Sequence, residues 1–194
     1  ALSFARIIGY LCADATIYYD NKREMYKGSI NLGHIIDVNN IIDDLNKFCI
    51  INQSNYKYKN YYSVRIPDHL LCNIIQLKGI TVGSKIKQPA KLPEFILDAN
   101  CPLPIVREFL GGLFGGDGHT CVLGMHRGKR DILSSISFSR SKTSKHLETL
   151  TKMMEDIKTL LARFDIHKVT IQNFKETSHS KCKASKDPNS TKSF

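Results

Sequence analysis

The sequence predicts an α+β protein built from two related αββαββα halves, and three observations predict it. Apolar residues recur at helical spacing in some segments and alternate with polar ones in others. The glycine-to-acid spacing of the first helix returns later in the chain, and a proline-rich stretch separates the two copies. Residues 1–80 form the first half, 81–104 a linker and 105–194 the second half.

Phe4, Ile7, Ile8 and Leu11 lie on one face of an opening helix, with Ser3 as its expected N-cap. TIYYDNKREMYKGSINLGHI follows, β-branched and aromatic around a polar centre at 20–23, which predicts a hairpin. Asp37 is expected to cap a second helix with Val38, Ile41, Ile42, Leu45 and Cys49 on one face. YKYKNYYSVRI reads as a second hairpin, and Pro67-Asp68 starts a third helix that Gly79 ends. The stretch 80–104 holds four prolines and reads as a crossing linker with a short helix or turn at 93–99.

After the linker the pattern restarts. Pro104 opens IVREFLGGLFGG, Asp117 and Gly118 follow, and a basic hairpin is expected over 120–140 with its turn near HRGKR. A long helix over 143–164, a strand at HKVTIQNFK and a polar, mobile tail from about 176 complete the reading. A partner strand and closing helix equivalent to residues 61–79 are absent from this reading of the second half.

Composition narrows the class of partner. With 28 Lys and Arg against 18 Asp and Glu, the chain carries a net charge of +10, which favours a polyanion. Hydrophobic residues make up 42% of the sequence, enough to exclude a disordered chain. No apolar run approaches the roughly 18 residues of a membrane span, so no membrane partner is expected. The opening segment meets charge at Arg6 and Asp14 instead of a cleavage site, and the six cysteines show no CxxC pair. Both point to an unexported chain in a reducing intracellular compartment, and the histidines show no zinc spacing.

The chemistry is concentrated where the two opening helices superpose with an offset of 103 residues, Gly9 on Gly112 and Asp14 on Asp117. A glycine five residues before an acid allows close helix approach at the glycine and leaves the acid at the helix C-terminus. The macrodipole is negative there, so each acid costs about 0.3–1 kcal/mol unless something positive neutralises it. Two such acids brought together repel further. Either the pair holds a divalent cation, with Mg²⁺ or Mn²⁺ the hard-ion choice, or one carboxyl carries a proton.

IIGYLCADA (7–15) and LGGLFGGDG (110–118) resemble the two signature helices of the LAGLIDADG homing endonucleases, in the monomeric form with both copies in one chain. KLPEFILDANCPLPIVREFLGGLFGGDG is similar to the approach to the second motif in the intein-embedded members. The first copy departs from the family pattern at Cys12 and Ala15. The resemblance implies two pseudo-symmetric halves with curved antiparallel DNA-binding sheets and the signature helices packed at the central interface through Gly9 and Gly112. It implies a site-specific double-strand break in DNA, with Asp14 and Asp117 holding divalent metal and the backbone carbonyls of Ala13 and Gly116 as further ligands. A basic residue is expected beside each metal site. Lys91, just before Leu92-Pro93, is the first-half candidate, with Lys85 and Lys87 competing.

Strands in a major groove read base edges with alternate side chains and meet phosphates at the rim. The candidates are Lys22, Arg23, Lys27, Lys57, Lys59 and Arg65 in the first half, and Arg127, Lys129, Arg130, Arg140, Lys168, Gln172 and Lys175 in the second. Two other readings accompany cleavage: an intron RNA maturase using the same basic sheets, and a DNA-binding relic that binds its target without nicking it.

Overall fold

The computed structural model describes residues 1–48, 56–57, 60–126, 129–172, 175–177 and 191–193. The first half contains α1 (Leu2–Cys12), β1 (Ala15–Asp20), β2 (Met25–Leu32), α2 (Ile35–Leu45), β3 (Tyr56–Lys57), β4 (Tyr62–Ile66) and α3 (Asp68–Ile74). A 3-10 turn at Lys85–Lys87 and α4 (Glu94–Leu97) occupy the linker. The second half runs α5 (Leu103–Asp117), β5 (Gly118–His119), β6 (Leu123–His126), β7 (Lys129–Leu133), β8 (Ser137–Phe138) and β9 (Ser141–Thr143). A 3-10 turn at Ser144–His146, α6 (Leu147–Ala162), β10 (Lys175–Thr177) and β11 (Thr191–Ser193) complete it.

The helices form where apolar residues repeat every three to four positions. Ile7, Ile8 and Leu11 of α1, Val106, Phe109 and Leu113 of α5 and Leu150, Met153 and Ile157 of α6 are all at most 4% exposed and share one core with Ile17, Ile30 and Val64 of the first sheet. A charged tie reinforces the junction between halves. Arg6 donates to Glu108 Oε2 from Nε at 2.9 Å and to the buried Asp44 Oδ2 from Nη1 at 2.9 Å. Lys47 Nζ donates to the other Asp44 oxygen at 3.1 Å, so this carboxylate is buried with two cationic partners.

The first sheet is antiparallel in the order β1-β2-β4-β3, and the second half repeats that order in broken pieces. Gly118↔Phe138 and Leu123↔Leu133 share one register, so β5, β6, β7 and β8 are the arms of a single interrupted hairpin. β9 continues the return arm and pairs with β11, which in turn pairs with β10. The strand missing from the sequence reading is therefore supplied by Thr191–Ser193, beside β9 as β4 is beside β2. Of the expected tail, residues 178–190 lie outside the described residues.

Several local expectations are corrected. Ala1, not Ser3, precedes the first turn of α1, and the buried Ser3 accepts a hydrogen bond from Lys47 Nζ at 2.8 Å. His34 holds the cap position of α2, with Asp37 inside the first turn. No strand forms over 167–172: a tight turn, closed by Val169 N–H on the His167 carbonyl at 3.0 Å, diverts the backbone, and β10 begins only at Lys175.

Candidate functional site

The site stands on the crossing of α1 and α5. A Cβ on Gly9 would lie 2.2 Å from the Phe109 carbonyl oxygen, and one on Gly112 would lie 2.1 Å from the Arg6 carbonyl oxygen. Only hydrogen fits at either position. One turn further on, a Cβ at Gly116 would fall 2.4 Å from Ala13 Cβ, so the two backbones stay together as far as the acids. Asp14 and Asp117 meet there, side chain to side chain. Burial pushes the Asp117 carboxyl up to about 6; Arg140 opposes the shift, while the negative charge of Asp14 and its hydrogen bond reinforce it.

Two cations from outside the two helices close the end of α1, and a third stands behind them. Lys85 Nζ donates to the carbonyls of Leu11 at 2.6 Å and Ala13 at 2.5 Å, and Arg140 Nη2 donates to the Cys12 carbonyl. Carbonyls left open by the last helical turn are thereby satisfied by positive charge, which also offsets the negative end of the macrodipole. Arg140 Nη1 also stands 3.6 Å from Asp117 Oδ2. Behind them Lys142 donates to the carbonyls of Lys85 and Gln88. Burial lowers both Lys85 and Lys142 to about 8 and raises the Cys12 thiol to about 11, so that sulfur stays neutral.

The lysine at the helix end is therefore Lys85. Lys91 is exposed on the wall of a small cleft that Lys85, Arg140 and Lys142 also line, and Lys87 offers its carbonyl to His146 Nε2 at 3.0 Å. The Ala13 carbonyl, expected as a metal ligand, already accepts from Lys85, and Gly116 serves the close approach to Ala13. Among the described residues no group of three or more His, Cys, Asp or Glu gathers, so the acidic centre is the Asp14–Asp117 pair. Hard carboxylate oxygens crowded together where two helices end suit a hard divalent ion, which would compete with the proton on Asp117.

The solvent face of the first sheet carries Thr16, Tyr18, Lys27, Ser29, Asn31, Ser63 and Arg65, alternating with buried Ile17, Ile30, Val64 and Ile66. The register sets Thr16, Ser29 and Arg65 side by side across three strands and places Asn31 against Ser63. The uncharged polar members escape a search for basic residues, although the two-residue alternation of the strands carries them. Lys22 and Arg23 are exposed in the hairpin turn, and Lys27 is ion-paired with Asp20.

In the second half Arg140 belongs to the acidic centre and not to an open sheet face. Lys168 and Gln172 are exposed beyond α6. Lys57, Lys129, Arg130 and Lys175 lie on β3, β7 and β10, whereas Lys59 and Arg127 fall outside the described residues. Among the described residues no helix is long and apolar enough to cross a membrane.

No family model matches the chain. It is 30% identical over 103 residues to the tRNA-splicing ligase RtcB of Methanopyrus kandleri, covering 53% of this chain and 10% of the ligase. The RtcB of Methanocaldococcus jannaschii matches at 31% over 104 residues, 54% of this chain and 10% of that protein. The chain thus spans about a tenth of the length of these relatives. In structure, the homing endonuclease I-WcaI bound to its DNA recognition sequence aligns over 100% of this chain and 75% of its own, with a TM-score of 0.51 at 12% identity. The chain has the α+β fold of a homing endonuclease.

Proposed function

We propose that the chain is a LAGLIDADG-type homing endonuclease: a monomer that binds double-stranded DNA at a long site and breaks both strands by Mg²⁺- or Mn²⁺-dependent phosphodiester hydrolysis. The observation that carries the reading is the meeting of Asp14 and Asp117 at the ends of two helices whose crossing admits only glycine. Two carboxyls pressed together oppose each other's ionisation, and a centre that binds a divalent cation and a phosphate gives the pair a use.

Asp14 and Asp117 would hold the metal, which when bound supplies Lewis-acid neutralisation of phosphate charge and an activated water. Lys85, fixed on the end of α1, places an ammonium beside that centre, and Arg140 adds a guanidinium next to Asp117. The polar face of the first sheet offers hydroxyl, amide and guanidinium groups at register positions suited to base edges, and Lys22 and Arg23 at its turn suit phosphates. Both acids lie in one chain, so one chain completes the centre. The ligase similarity covers a tenth of those proteins, an extent that suits an inserted unit such as an intein endonuclease.

The test begins with selection of a cleaved site from a randomised plasmid library in Mg²⁺. The selected plasmid should be linearised by the wild type, and chelation should stop it. Asp14→Asn and Asp117→Asn should bind the selected duplex and fail to cut it. A variant of either acid that cuts both strands at the wild-type rate refutes the assignment; tight binding of structured intron RNA with no DNA cleavage would favour a maturase.

A further inference from the structure

The segment that carries Lys85 is held in place by the opposite half of the molecule. Lys142 on β9 is only 2% exposed, and its ammonium donates to the carbonyls of Lys85 and Gln88, the latter at 2.8 Å. His146 Nε2 donates to the Lys87 carbonyl at 3.0 Å, and the Ala90 amide donates to Thr149 Oγ1 at 3.0 Å. Second-half residues thus grip the linker from 85 to 90, and from that grip the Lys85 side chain reaches across to Leu11 and Ala13 of the first half.

Around Lys85 the linker is a three-residue 3-10 turn, closed by Lys87 N–H on the Ser84 carbonyl at 3.2 Å and followed by Pro89, which has no amide to donate. Gln88 Nε2 donates to the Val82 carbonyl at 2.7 Å and Gly83 N–H to the Ile17 carbonyl at 2.6 Å, so these bonds fix residues 82, 83 and 88 and leave the Lys85 carbonyl to Lys142. Both helices close with a main-chain bond, Ala13 N–H on the Gly9 carbonyl and Gly118 N–H on the Phe114 carbonyl, but the next carbonyl of α5, that of Asp117, accepts from Ser139 N–H at 3.4 Å where α1 takes side-chain cations. A buried ammonium is costly, and a methionine of similar length would fill the same space without charge. What Lys142 supplies that methionine would not is the pair of hydrogen bonds that locate the Lys85 backbone.

We infer that Lys142 is a positioning residue for Lys85, so that the second half controls the reactive geometry at the end of α1. The inference rests on the endonuclease reading above. Two measurements on the full chain test it. Hydrogen exchange of the 84–90 amides should quicken at least tenfold in Lys142→Met. On the selected duplex, Lys142→Met should cut at least tenfold more slowly than wild type while binding it within about twofold. Lys85→Met should slow cleavage as well, and the Lys85→Met/Lys142→Met double variant should be no slower than Lys85→Met, since two groups acting as one unit are not additive. If the methionine variant melts below the assay temperature, Lys142→Gln gives the same comparison.

Wild-type cleavage by Lys142→Met, additive effects in the double variant or unchanged exchange at 84–90 would overturn the positioning role. A wild-type protein that cuts no duplex defeats the endonuclease reading instead, and the exchange experiment still decides whether the clamp exists.

Discussion

Gly112 approaches Arg6 so closely that a Cβ at residue 112 would fall 2.1 Å from the Arg6 carbonyl oxygen, and Gly9 stands in the same relation to Phe109 at 2.2 Å. Both obstacles are backbone, so no side-chain rotation relieves them. Gly112→Val must therefore part the helices. Overpacking costs about 1–3 kcal/mol in ordinary cores, and a backbone obstacle sets this variant at the upper end, a fall in Tm on the order of 10 °C. Cleavage should fall in parallel, because the acids lie one turn beyond the crossing. Thermal melts and a plasmid time course on one preparation check both; normal Tm with full activity would contradict the interface.

The metal-free protein should lose stability as pH rises through about 6. Asp117 ordinarily titrates near 3.8 and in the folded chain near 6, so between these values the fold holds a proton that the unfolded chain has released. A raised carboxyl pKa means that this group's contribution is fully present below about 3.8 and gone above about 6. Tm measured from pH 4.5 to 7.5 should fall over this window, and Asp117→Asn should flatten the fall. Mg²⁺ should raise Tm more at pH 7.5 than at pH 5, where it competes with the proton.

Lys85 and Lys91 should separate cleanly. Lys85→Met leaves the Leu11 and Ala13 carbonyls without their donor at a buried helix end, at a cost of about 1–3 kcal/mol, and should cut the cleavage rate by roughly 10²-fold or more. Lys91→Met changes an exposed side chain and should stay within about 0.5 kcal/mol of wild type with near-normal cleavage. Chemical denaturation and initial rates on the selected plasmid distinguish them, and the reverse ranking would restore Lys91.

Affinity for the duplex should fall steeply with salt, because a chain of net charge +10 lying along DNA displaces condensed counterions. Lys22→Ala or Arg23→Ala, at the hairpin turn, should lower the log–log slope by about 1 with little change in sequence preference. Arg65→Ala, in register with Ser29, should instead relax preference at one base pair at a cost of about 1–3 kcal/mol. Filter binding against salt, with single-substitution target panels, reads both effects.

The elements that were legible in the sequence are those whose signal is local. The apolar faces of α1, α2 and α5 repeat within one helix, and the αββαββα order of the first half follows from them and from the hairpins between. The sequence points to Lys91 ahead of Lys85, and it is Lys85 that reaches the end of α1, because nothing near either residue reveals which one a folded-back linker aims there. HKVTIQNFK alternates like a strand, yet pairing needs a neighbour, and the neighbour available to β9 is Thr191–Ser193, a polar segment with no periodicity of its own. Thr16, Ser29, Asn31 and Ser63 on the first sheet carry no charge to single them out, because hydroxyls and amides occur on any solvent-facing strand.

Main-chain atoms, not side chains, set the gauge between the two acids. At Gly9 and Gly112 the spacing of the helices is fixed by carbonyl and amide groups that every residue possesses. Leucines and isoleucines elsewhere in the core can be exchanged, and either half can drift in surface and sheet sequence, without recalibrating that distance. On the proposed endonuclease reading, new target preferences would therefore accumulate on the strands while the acidic centre keeps its dimensions, provided the two positions never acquire a side chain.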